Sequence, residues 1–115
     1  LGQRGEKAVL QHYQKYGYKL REKNWRARIG EIDLIFSKKD LLVFVEVKTR
    51  TNNDFARPIE NITDKKQKKL ASLANLYLAS HKLPKKIKKI RIDAAEVLEI
   101  FDEFEVKITE NIIEL

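Results

Sequence analysis

The sequence contains no cysteine, which excludes a disulfide framework and a thiolate zinc site. No apolar run approaches the roughly 20 residues that span a bilayer, and no signal peptide is visible. A cytoplasmic protein with no membrane partner is therefore expected. Proline is scarce, with 2 residues, and both stand where chain breaks are expected: Pro58 in a polar stretch and Pro84 after a helical pattern. The chain starts at Leu1 rather than Met, so a few residues of the natural start are expected to be missing. What the sequence has in excess is charge. Charged residues make up 36% of the chain, against about 25% in an ordinary domain. They are interleaved with apolar residues, 43% of the total, so a folded core is expected rather than disorder. Its 115 residues fit a single small domain, 1–115. Lysine and arginine number 24 against 17 acids, a net charge of +7, which favours a polyanionic partner, nucleic acid before anionic membrane.

Taken in order, residues 3–17 have helical spacing, with Val9, Leu10, Tyr13 and Tyr16 as the buried stripe and Gly17 as the stop. Glu6 lies four residues before Leu10, on the inward edge of that stripe. It is either a first-turn acid favoured by the helix dipole or a functional group. Residues 18–26 read as a short strand with Trp25 as an anchor. Residues 31–36 and 41–48 read as a hairpin joined by Ser37-Lys38-Lys39-Asp40, and residues 49–61 as a long polar loop. A second helix over 64–80 takes Thr63 as N-cap and buries Leu70, Leu73, Ala74, Tyr77 and Leu78. Lys65, Lys66, Lys68 and Lys69 crowd its start, with Lys66 facing inward. A strand over 87–97 and an acidic edge strand within 98–115 complete the chain.

The hairpin carries Glu31, Asp33, Glu46 and Lys48 inside otherwise apolar strands, where charges are costly unless paired or bound to a cation. If Ser37 pairs with Asp40, Asp33 lies opposite Phe44, Glu31 lies opposite Glu46, and all four charges share one face. Such a face suits metal-assisted phosphodiester hydrolysis. Asp33 and Glu46 would ligate Mg²⁺ or Mn²⁺, and Glu6 would add a contact from the first helix. Lys48 would orient or help deprotonate the attacking water, or stabilise charge on the phosphate, and Lys66 would hold a phosphate. The tripeptide of acid, any residue and lysine proves little alone, because it recurs at Asp64-Lys65-Lys66 and Glu105-Val106-Lys107. The last copy sits among acids of the tail and reads as solvated surface.

Gly5-Glu6, Asn24-Trp25-Arg26, Gly30-Glu31-Ile32-Asp33-Leu34-Ile35, Val43-Phe44-Val45-Glu46-Val47-Lys48-Thr49-Arg50, Lys66-Gln67 and Arg91-Ile92-Asp93 follow one another in that order. In this the chain resembles the UPF0102 (YraN-like) family of bacterial proteins, itself similar to the PD-(D/E)XK nuclease superfamily, with archaeal Holliday-junction resolvases among its relatives. The resemblance implies a restriction-endonuclease-like α/β domain, a central mixed β-sheet flanked by helices in the order α-β-β-β-α-β. It implies Asp33, Glu46 and Lys48 as the catalytic core and Glu6 as an assisting metal ligand. Glu31 and Gln67 match motif positions whose role the resemblance leaves open. Ile32 stands where the superfamily's name has proline.

The expectation is thus a Mg²⁺- or Mn²⁺-dependent endonuclease acting on DNA rather than RNA, on structured or branched DNA in particular. Arg50, Arg57, Lys65, Lys66 and Lys69 would contact the phosphate backbone. A homodimer is compatible with the resemblance, since junction-cleaving relatives act as dimers. The alternatives are a non-catalytic nucleic-acid-binding module of the same fold, and an interaction protein whose hairpin charges form a structural ion pair.

Overall fold

The computed structural model of the chain describes residues 2–51 and 63–113. Its elements are helix α1 (Gly2–Lys15), strands β1 (Lys19–Ala27), β2 (Gly30–Lys38) and β3 (Leu41–Thr51), helix α2 (Asp64–Ser80), and strands β4 (Lys89–Ile100) and β5 (Glu103–Thr109). They form one mixed sheet in the order β1-β2-β3-β4-β5. Only β3 and β4 are parallel, the crossover between them containing α2, as a parallel connection requires.

Period-two alternation in the central strands divides the core into two layers. Val43, Val45, Ala95 and Val97 face Val9 and Tyr13 of α1. Leu42, Phe44 and Ile92 face Leu73, Ala74 and Tyr77 of α2. β3 and β4 are buried on both faces, and so read as nearly continuous apolar runs. Charges within those runs therefore lie in protein rather than on a wet face.

Helix ends follow the expected chemistry. Thr63 has an extended backbone and accepts a hydrogen bond from the Lys66 N–H at 3.2 Å, capping α2. Gly17 takes a φ of 88°, and its N–H bonds the Gln14 carbonyl at 3.0 Å to close α1. Tyr16 departs from expectation. The helix ends before it, and it projects 55% exposed rather than joining the buried stripe.

The hairpin connection is also tighter than expected. β2 runs to Lys38 and β3 starts at Leu41, leaving Lys39 and Asp40 as the turn, with Lys39 at a φ of 54°. Ser37 therefore pairs with Leu42 rather than Asp40. A change of two positions in register does not by itself move a residue to the other face, because the side-chain period is two. β4 extends to Ile100, and Phe101 and Asp102 turn the chain at φ values of 49° and 65°. β5 then lies at the sheet edge as expected, with Glu105 and Lys107 exposed.

Arg91-Ile92-Asp93 proves to be a structural element. Asp93 is buried and accepts from the Tyr13 hydroxyl at 2.7 Å, Arg91 Nε at 2.8 Å, Arg91 Nη2 at 2.9 Å and the Asn111 N–H at 3.0 Å. Burial and this carboxylate push the Tyr13 hydroxyl pKa well up. The network ties α1 to β4 and to the segment after β5.

Gly5 sets how closely α1 meets β3. A Cβ placed there would lie 2.5 Å from Thr49 Oγ1, so the Thr49 side chain or the helix would have to shift. Gly5→Ala is expected to cost about 1–3 kcal/mol by overpacking, read as a lower urea midpoint. An unchanged midpoint would mean that the helix can retreat freely.

Candidate active site

β2 and β3 are paired from Lys38 with Leu41 up to Leu34 with Val45. Extending that register by one step sets Asp33 opposite Glu46, but there the ladder stops. The Val47 N–H donates instead to Asp33 Oδ2, at 2.7 Å. A side chain has replaced a backbone acceptor, and the two strands part around it.

The face pattern flips at the same point. Leu34 and Phe36 pack on the α1 side, Ile35 on the α2 side, and Ile32 also on the α2 side. Strict alternation would group Ile32 with Leu34. The neighbouring strand has a matching irregularity, for Asn24 takes a φ of 51° between the pairs Lys23–Leu34 and Trp25–Ile32. Asparagine tolerates the left-handed region because its short amide can bond locally. The four hairpin charges therefore do not share one face. Glu46 and Lys48 continue the α2-facing row of Leu42 and Phe44, Asp33 reaches into the gap, and the flip turns Glu31 toward the start of α1.

Glu6, Glu31 and Asp33 converge, each offering a carboxylate oxygen within 4.8 Å of the others. With its amide nitrogen turned toward them, Asn24 donates to Glu31 Oε1 at 2.9 Å and to Glu6 Oε1 at 3.1 Å. Arg26 Nε lies 3.0 Å from Glu31 Oε2 on the exposed side. Glu46 stands outside this trio, its Oε1 2.9 Å from Lys66 Nζ. A hollow of about 130 Å³ between the sheet and α2 is lined by Glu31, Glu46, Lys66 and Lys69.

The electrostatics follow from this crowding. Burial pushes the Asp33 pKa up to about 7; Glu46, Glu6 and Glu31 add to the rise, while the Val47 N–H opposes it. Burial also raises the pKa of Glu6, with Glu31 adding and Asn24 opposing. The Lys48 ammonium is pushed down by burial, then by Lys66 and Arg50. Oxygen donors alone, with negative charge in excess among the converging carboxylates, fit a hard divalent cation such as Mg²⁺ or Mn²⁺. Glu6, Glu31 and Asp33 would hold it, with Glu46 beside them.

Of the residues expected to contact phosphate, Lys65 and Lys69 are exposed on α2, and Lys66 is committed to Glu46. Arg50 points inward instead, its side chain 10% exposed and its Nε 3.1 Å from Oε1 of buried Glu96. Gln67 is half-buried and in contact with the fold, and Arg57 lies outside the described residues. No role is expected for Asn24 or Glu96 from the sequence. Asn24 could have been noticed as a residue disfavoured in strands. Glu96 carried no signal beyond being a carboxylate in the last apolar strand.

A mixed sheet with a helix on each face, and an acid–lysine group where two inner strands separate, defines a restriction-endonuclease-like α/β domain. Residues 5–97 match the family model described as uncharacterised protein family UPF0102, a span that contains every group placed at the site above. The chain is 49% identical over 80 residues to the UPF0102 protein TTE1452 of Caldanaerobacter subterraneus subsp. tengcongensis, covering 70% of this chain and 66% of that protein. It is 39% identical over 98 residues to a UPF0102 protein of Dictyoglomus thermophilum, covering 85% and 81%. It is 34% identical over 111 residues to a UPF0102 protein of Alkaliphilus oremlandii, covering 96% and 95%. The chain belongs to the UPF0102 family.

Proposed function

We propose that the chain is a Mg²⁺- or Mn²⁺-dependent nuclease that hydrolyses phosphodiester bonds of DNA, structured or branched DNA in particular. The observation that carries this is Asp33. It is a half-buried carboxylate with a raised pKa, set in a strand gap against Glu6 and Glu31, and an arrangement this unfavourable is typical of functional sites. A divalent cation held there would neutralise the carboxylates, polarise a phosphate oxygen and make water more acidic. The chain's own groups do the rest. Lys48 Nζ, with its proton loosened, orients the attacking water or stabilises charge on the phosphoryl oxygens. Lys66 and Lys69 beside the hollow, and Lys65 on the outer face of α2, position the DNA backbone without reading its sequence.

A non-catalytic nucleic-acid-binding module is the second reading, and one observation favours it: the Lys66–Glu46 pair neutralises Glu46 without a cation. Incubation with linear, nicked and four-way-junction DNA, with Mg²⁺ or Mn²⁺ or with chelator, separates the two. Metal-dependent cleavage lost in Glu46→Gln and in Lys48→Met supports the nuclease. Tight, salt-sensitive binding with no cleavage of any substrate supports the module.

Lys66 and a divalent cation would compete for the same carboxylate. Lys66→Met is therefore expected to tighten Mn²⁺ binding by about 3- to 10-fold in calorimetry, comparable to removing one charge-assisted contact worth about 1 kcal/mol. Weaker Mn²⁺ binding in this variant would show that Lys66 supports the cation site instead of competing with it.

A further inference from the structure

A second concave feature lies at the opposite end of α1 from the acids. This cavity of about 330 Å³ is lined by His12, Tyr16, Tyr18, Lys38, Ile108 and Glu110, among others, and its size is at the low end of the ~300–1,000 Å³ of small-ligand sites. Its floor is rigid. Tyr13 stacks on Phe36 at 4.5 Å and meets Tyr18 edge-on at 5.0 Å. The Tyr13 hydroxyl is tied to Asp93, and the Tyr18 hydroxyl accepts from Arg91 Nη2 at 3.0 Å.

Tyr16 is 55% exposed, and its ring is inclined at 53° to that of half-buried His12 with centroids 5.1 Å apart. Lys38 Nζ donates to the Tyr16 carbonyl at 2.7 Å and lies 4.9 Å from the Tyr18 ring centroid. An ammonium has three donors, which leaves Lys38 able to reach a further acceptor. Lys15 ends the adjoining helix and Lys39 follows Lys38 at the turn; both are exposed, and neither is ion-paired to a described residue. The acids here are already engaged, Asp93 within its network and Glu110 3.5 Å from Arg91 Nη1.

Exposed aromatic faces beside unpaired cations match the chemistry of single-stranded nucleic acid, whose bases stack and whose phosphates need positive charge. We propose that this groove binds an unpaired nucleotide of a single-stranded segment, the base against Tyr16 and His12 and the phosphate on Lys38. The proposal rests on the nuclease reading only in taking nucleic acid as the ligand.

The test is fluorescence anisotropy in chelator, so that cleavage plays no part, with a labelled 12-nucleotide oligo(dT) and a blunt duplex. Tyr16→Ala is expected to weaken oligo(dT) binding roughly ten-fold, the size of one lost base stack, and to leave duplex binding unchanged. Tyr16→Phe, which keeps the ring, should bind like the wild type. Equal binding of oligo(dT) by Tyr16→Ala and wild type, or an equal loss for both probes, would overturn the proposal. Failure of the nuclease reading is seen separately, as absent cleavage with Mg²⁺ or Mn²⁺ while Tyr16-dependent binding persists.

Discussion

Asp93→Ala is expected to destabilise the protein by about 3–5 kcal/mol, the usual cost of stripping one partner from a buried ion pair. Asp93 takes four hydrogen bonds, from Tyr13, from two nitrogens of Arg91 and from the Asn111 N–H. Its removal leaves a guanidinium, a hydroxyl and an amide without their acceptor, and the Arg91 side chain is only 16% exposed. Small domains have about 5–15 kcal/mol in total, so the variant should be partly unfolded at moderate temperature. Urea denaturation followed by circular dichroism measures the loss. A loss under about 1 kcal/mol would show that Glu110, 3.5 Å from Arg91 Nη1, swings in as the substitute. Asp93→Asn should fall between, since one oxygen can still accept. None of these variants removes a group from the acid cluster, so any loss of the proposed nuclease activity should track the folded fraction.

The opposite outcome is expected at Asp33. Asp33→Asn keeps an oxygen for the Val47 N–H and removes a charge that burial and three neighbouring carboxylates oppose. In the folded protein the Asp33 pKa stands at about 7, above its ordinary value of 3.8. The folded state thus holds this proton more tightly than the unfolded chain. The stabilisation is fully present below about pH 4 and is lost as pH rises through about 7. Asp33→Asn lacks that loss. Melting temperatures of the two proteins in chelator should lie close together near pH 4 and separate toward pH 8, with the variant higher. Parallel curves from pH 4 to 9 would show that Asp33 ionises as freely in the fold as outside it. If the proposed nuclease activity holds, the same variant should lose it by about 100-fold or more, the scale of removing one electrostatic stabiliser from a reaction centre. Gain of stability with loss of activity is the usual signature of a site strained for function.

These contrasting expectations show which features could be read from the chain and which could not. Glu46 and Lys48 stood out because charge inside the apolar run from Leu41 to Val47 is costly. Lys66 was found by helical spacing from Leu70 and Leu73, and the structure does place it against Glu46. The element order α-β-β-β-α-β was legible because period and turn chemistry change sharply at Gly17, Gly30 and Thr63. The turn at Lys39-Asp40 was not. A left-handed lysine has no signature like Asn-Gly, so the connection looked longer than it is. The turn at Phe101-Asp102 was hidden in the same way, although the edge strand after it was expected. The flip at Asn24 and Asp33 was invisible for a deeper reason. Regular alternation is the assumption on which strand faces are assigned, and a paired break in adjacent strands violates it without changing composition. That is why Glu31, the least certain of the hairpin charges in the sequence, lies within the carboxylate trio, while Glu46 stands just outside it. Tyr16 satisfied the helical stripe but fell one residue beyond the helix.

The Val47 amide takes on a second use from its position. Its N–H donates to the carboxylate whose charge state governs the gap. Its proton resonance will move whenever Asp33 gains or loses a proton or is claimed by a cation. One backbone signal, present without substrate, therefore reports continuously on the condition of the whole cluster.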